Sequence, residues 1–123
     1  MNYKLYAVRV FSTRWDESLA FYRDVVGFPL SYCDESLGWA QFSLGSAYLG
    51  LERCGPDDES TELVGRFVGT SIEVEDIHHV FETLSSRGVE FTAPPAQQSW
   101  GGTLAHFKDP DGNVLTLLAT GTP

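Results

Sequence analysis

Basic residues are scarce in this chain. Only 8 lysines and arginines face 17 aspartates and glutamates, giving a net charge of −9. Displacing counterions from a phosphate backbone needs a basic patch, so nucleic acid is excluded as a partner. The acidic surplus serves solubility and also suits a cationic ligand. Cysteine is rarer still. Cys33 and Cys54 form no CxxC and no zinc spacing with histidine, so reduced thiols without an assigned role are expected. No apolar run nears the ~20 residues that cross a bilayer, so no membrane partner is expected. The start, Met1-Asn2-Tyr3-Lys4, lacks a signal-peptide pattern, which makes the cytoplasm the expected location. A Gly-rich phosphate loop, a nucleophile elbow and an HExxH helix are also missing.

What remains is globular material: 123 residues, 42% apolar and 13% aromatic, the size of one domain over residues 1–123. The order of elements repeats within it. Tyr3 to Val10 alternates as a strand with Tyr6, Val8 and Val10 on an apolar face. Thr13 to Val26 has a helical stripe of Leu19, Tyr22 and Val26, a possible cap at Thr13 or Asp16, and a stop at Gly27. Strands follow near Leu30–Asp34, Gly38–Leu44 and Ala47–Glu52, the last two joined by a Gly45-Ser46 turn. Residues 53–66 are polar and acidic, with Asp57, Asp58, Glu59 and Glu62, and read as a solvated connector. The pattern then recurs over residues 67–120. A strand spans Arg66 to Val74, and a helix capped by Asp76 carries Ile77, Val80, Phe81 and Leu84 inward. Further strands lie near Val89–Thr92, Thr103–Lys108 and Val114–Ala119.

The expected fold class is therefore α+β, built from two βαβββ modules of residues 1–52 and 67–120. One helix covers only one face of four strands. The other faces should curl into a trough lined by Leu5, Ala7 and Arg9 from the first strand and Gly69, Ser71 and Glu73 from the fifth. By the same alternation Trp39, Gln41, Leu104 and His106 face that trough. Arg9 and Glu73 form an expected ion pair between modules, or anchors for polar ligand groups. Trp100, in "SWGG", is a large apolar ring on a loop, suited to a lid over a planar ligand or to a dimer contact. Asp109-Pro110-Asp111-Gly112-Asn113 reads as a hairpin turn rather than a calcium loop, since the closing glutamate is missing. His78 and His79 lie on the polar side of the second helix.

The stretches "SLAFYRDVVGF" (Ser18–Phe28), "GVEF" (Gly88–Phe91) and "WGGTLAHFKDPDGNVLTLL" (Trp100–Leu118) resemble the vicinal oxygen chelate superfamily. That superfamily includes glyoxalase I, the extradiol dioxygenases and the fosfomycin- and bleomycin-resistance proteins. The resemblance covers nearly the whole chain and implies the glyoxalase/bleomycin resistance/dioxygenase fold. Its enzymes hold a divalent metal with His, Gln or Glu from strands one, four, five and eight. Those positions carry Leu5, Leu49, Gly69 and Thr116 here, none of them a competent ligand. The resemblance therefore implies no metal and no cofactor, and it points to the drug-sequestering branch, which also carries the Trp-Gly pair. A homodimer is implied as well, since related proteins pair or exchange modules between chains.

The expected function is binding of a small hydrophobic or aromatic compound, an antibiotic among the candidates. The expected ligand contacts are Arg9, Trp39, Gln41, Leu49, Ser71, Glu73, Trp100, His106 and Thr116. Rival expectations are an enzyme with Glu73 or His106 as general base, and a lyase, isomerase or dioxygenase with a displaced metal set of His106, Glu73 and Glu52. A protein-partner role is the remaining alternative.

Overall fold

The computed structural model describes residues 1–55 and 58–120. Asp57 of the acidic connector lies outside these. The first half runs β1 (Ala7–Ser12), helix α1 (Trp15–Ala20) continuing as a π-helical segment (Phe21–Val26), then β2 (Leu30–Asp34), β3 (Trp39–Leu44) and β4 (Ala47–Arg53). A 3-10 turn, Glu59–Leu63, occupies the connector. The second half runs β5 (Phe67–Glu73), α2 (Ile77–Ser86), two short strands β6 (Glu90–Phe91) and β7 (Ala96–Gln97), then β8 (Thr103–Lys108) and β9 (Val114–Ala119). The repeat expected from sequence is present, with β7 as an addition.

Each half makes its own sheet. The orders are β1-β4-β3-β2 and β5-β9-β8-β6, with β7 also on β8, and β1·β4 and β5·β9 are the parallel pairs. The helix-facing sides are apolar because alternate strand residues share a face. Val10, Ala40, Phe42, Leu49 and Leu51 are buried in one sheet, and Ala105, Phe107, Leu115 and Leu117 in the other. One hydrophobic cluster runs through both sets. The π segment helps join them. Its wider turn lets neighbouring Phe21 and Tyr22 both pack inward, Phe21 toward Phe107 and Tyr22 against Phe28 and Phe42. Gly27 ends it at φ 86°, a conformation that a side chain would strain.

Several expectations shift. The first strand starts at Ala7, not Tyr3, and Tyr6 is not on the core face; its hydroxyl donates to Gln41 on the opposite side. Neither Thr13 nor Asp16 caps α1. The cap residue is Arg14, with no side-chain cap of its own. Asp76 does cap α2, accepting from the His79 amide. His78 and His79 are exposed.

The helix start is instead held by the turn of the other half. The Asp111 carboxylate accepts from the hydroxyls of Ser12 and Ser18, the second at 2.7 Å. It also accepts from the Thr13 amide at 3.0 Å, the Thr13 hydroxyl at 3.2 Å and the Arg14 amide at 3.2 Å. The residues around it complete the tie. Asn113 donates to the Phe11 carbonyl and accepts from the Gly65 amide. Asp109 accepts from the Tyr22 hydroxyl at 2.7 Å, from Asn113 and from the Asp111 amide. The hairpin reading of this turn is correct, and it omitted these long-range bonds.

Burial pushes the Asp109 carboxyl above its ordinary value of 3.8, against the opposing pull of the Tyr22 and Asn113 donors. The Tyr22 hydroxyl is raised well above 10.0, first by burial and then by Asp109. A raised folded pKa means that the folded chain holds the proton more tightly than the unfolded one. This group's contribution is thus full below the unfolded value and is lost as pH rises through the folded value.

Two outcomes follow. Asp111→Ala should lower unfolding free energy by about 2–4 kcal/mol, read as a lower urea midpoint at unchanged m-value, and Asp111→Asn by roughly half as much. The stability difference between wild type and Asp109→Asn should shift in favour of wild type as pH drops from 7 to 4.5. A shift the other way would show that the donors outweigh burial.

Candidate functional site

The two sheet faces turned away from the helices carry the polar and aromatic residues. On sheet one, β3 alternates so that Ala40 and Phe42 enter the core while Trp39 and Gln41 point the other way. The Trp39 ring lies on Gly50, where any Cβ would collide with it. Gln41 Oε1 accepts from Trp39 Nε1 at 3.2 Å and from the Tyr6 hydroxyl at 3.0 Å. Tyr6 in turn packs on Tyr48 with ring centroids 5.2 Å apart. Arg9 stands beside this group, paired with Glu52 at 3.0 Å and over the Phe11 ring at 5.2 Å. At 57% and 34% side-chain exposure, the ion pair contributes little to stability.

On sheet two, His106 Nδ1 lies 2.8 Å from Thr116 Oγ1, and its ring meets the edge of Phe67 at 5.6 Å. Thr116 is buried under that pair, while Phe67 is 60% exposed. Ser71 is exposed beside Thr116 in the strand register. Glu73 accepts from the Thr120 hydroxyl at 3.2 Å. A cleft of about 670 Å³ opens between the β3–β4 turn, the start of β1 and β5, with Leu5, Tyr48, Leu49, Ser71 and Glu73 among its walls.

The expected contacts therefore fall into three groups. Trp39 and Gln41 meet on sheet one, with Arg9 in the same cross-strand row as Gln41 on the other side of Gly50. His106 and Thr116 meet on sheet two, and Leu49, Ser71 and Glu73 share the cleft. The expected Arg9–Glu73 pair does not form: Arg9 takes Glu52, its neighbour across β1 and β4, and Glu73 turns to Thr120. Leu49 borders the cleft but is 1% exposed and belongs to the hydrophobic core cluster. Trp100 is 62% exposed and its ring lies on Gly102. Sequence reasoning missed Tyr6, Tyr48 and Phe67. Alternation in β4 and β5 places Tyr48 opposite Leu49 and Phe67 opposite Val68, so those two were findable. Tyr6 was not, because it precedes the regular strand.

The donor set does not fit a divalent metal. Of the four family ligand positions, Leu5 is exposed, Leu49 is in the core, Gly69 has no side chain, and the Thr116 hydroxyl is engaged with His106. Among the described residues no three His, Cys, Asp or Glu side chains stand together as a metal-holding group. The displaced set of His106, Glu73 and Glu52 is accordingly not assembled.

Paired modules of strand, helix and strands with polar-aromatic concave faces define a known class of fold, and comparison with known proteins places the chain in it. The profile of the Glyoxalase/Bleomycin resistance protein/Dioxygenase superfamily matches residues 4–117, and the chain belongs to that superfamily. Protein YraH of Bacillus subtilis (strain 168) is 27% identical over 124 residues, covering 93% of this chain and 96% of its own. The bleomycin resistance protein of Klebsiella pneumoniae is 25% identical, covering 87% and 85%. Among solved structures, TnmS3, an antibiotic binding protein from Streptomyces sp. CB03234, superposes with a TM-score of 0.80 at 27% identity, covering 98% of each chain. No helix among the described residues is long and apolar enough to cross a membrane.

Gly50→Ala should displace Trp39 and break its bond to Gln41 without unfolding the chain. The expected signature is a changed near-ultraviolet circular dichroism spectrum and tryptophan emission, with an unfolding free energy from urea titration lowered by about 1–2 kcal/mol at most.

Proposed function

We propose that this protein binds a small hydrophobic or aromatic compound without a metal, in the manner of the drug-sequestering members of its superfamily. The observation that carries the reading is the unsuitability of Leu5, Leu49, Gly69 and Thr116 as metal ligands, set against aromatic side chains on the concave faces. The likeness to an antibiotic binding protein and to a bleomycin resistance protein supports it. Trp39 and Trp100 supply stacking surface, and Arg9, Gln41, Ser71, Glu73, His106 and Thr116 supply polar contacts. The working form is a homodimer in the cytoplasm. Leu5 (65% exposed) and Phe67 are apolar surface that a second copy would cover. A second reading, metal-independent acid–base catalysis, draws on the Thr116 bond that fixes one nitrogen of His106 and leaves the other for chemistry.

Native mass spectrometry of freshly purified protein tests the first reading. The expected result is a dimer mass, retention of a co-purified or added aromatic compound, and no change on treatment with a chelator. Stoichiometric zinc, iron or manganese, lost together with an activity on chelation, would remove it.

A further inference from the structure

The Gln41 amide has a fixed direction, and that direction has a chemical consequence. An indole N–H only donates, so the Gln41 atom facing Trp39 Nε1 at 3.2 Å must be the carbonyl oxygen. The Tyr6 hydroxyl reaches the same oxygen at 3.0 Å. With the oxygen held by two donors, the amide nitrogen is turned away from both. Among the described residues this nitrogen has no hydrogen-bond partner, and it is not sealed from the surface, since the one buried side-chain polar atom left unpaired is Thr70 Oγ1. Gln41 as a whole is buried at 8% exposure, so the side chain has little freedom to turn. An N–H pair thus stands on an amide flanked by Trp39 and by Tyr6, whose ring packs on Tyr48.

Resting on the binding reading above, we propose that the concave face of sheet one selects planar aromatic compounds bearing a ring carbonyl, the rings lying on the tyrosine and tryptophan side chains and the carbonyl oxygen accepting from the Gln41 amide. Flat rings provide area at low ordering cost, and the donor supplies the orientation. A ligand lacking the acceptor leaves the N–H pair desolvated and unpaired, which is the usual source of strong discrimination at a polar position.

The test uses two neutral three-ring probes of similar shape, 9-fluorenone with a carbonyl and fluorene with a methylene in its place. Binding to the full chain is read by quenching of tryptophan emission, and mass by sedimentation. Fluorene is the more hydrophobic probe, so burial alone favours it. The expected result is the reverse: fluorenone binds about tenfold tighter, near the effect of one hydrogen bond. Gln41→Glu, of the same shape but without the N–H pair, should erase that preference and leave fluorene unchanged. Equal binding of the two probes by wild type, or tighter binding of fluorene, overturns the inference and leaves the small-molecule reading standing; this arm needs no variant to fold. Binding of neither probe overturns both. Should Gln41→Glu alter the dimer mass while the fluorenone preference persists, the donor serves a second copy of the chain and the inference falls.

Discussion

The carboxylate of Asp111 sits where the two halves of the chain meet, and much of the remaining architecture presupposes it. It belongs to a turn of the second half, yet its acceptor sites are filled by hydroxyls and amides at the start of the first helix. A helix that begins without a cap of its own has amides to satisfy, and a negative charge at that end is favourable. Asn113 and Asp109 extend the tie to the Phe11 carbonyl and to Tyr22, so strand, helix and turn are fixed together. The orientation of the two concave faces follows from that junction.

From this junction the chemistry of the faces can be understood as what is left once the core is satisfied. Alternate residues of each strand are committed to the shared apolar cluster. The residues between them are free to be polar or aromatic, and here they form short, local networks: Trp39 with Gln41 and Tyr6, Arg9 with Glu52, His106 with Thr116. None of these spans both sheets. A pocket assembled from such pieces recognises shape and a few directed hydrogen bonds, which is the kind of recognition the metal-poor donor set leaves available.

The fold was readable from sequence because both modules alternate cleanly. Val8 and Val10, Ala40 and Phe42, and Ala105 and Phe107 each declared a face, and the helix stops at Gly27 and Gly88 divided the elements. Site geometry was less readable, for physical reasons. Which acid Arg9 meets depends on strand neighbours rather than on strand patterns, and β4 rather than β5 lies beside β1. Tyr6 looked like the start of an apolar stripe because its alternation continues that of Val8; its carbonyl still accepts from the Tyr48 amide, but its side chain turns to Gln41 instead of the core. Asp111 was legible as a turn former. Its five donors come from four residues that lie 93 to 99 positions away, a distance over which local pattern carries no information.

Strand β5 has one edge with no partner among the described strands, an arrangement that in many proteins invites templated growth of fibres. Here Gly69 takes φ 78° midway along it, and the ladder to β9 slips between Phe67 and Ser71. A passing extended chain would meet a bent rail, not a straight one, and could not zip along its full length. The kink thereby defends solubility at a place where an acidic surface alone would leave a sticky seam.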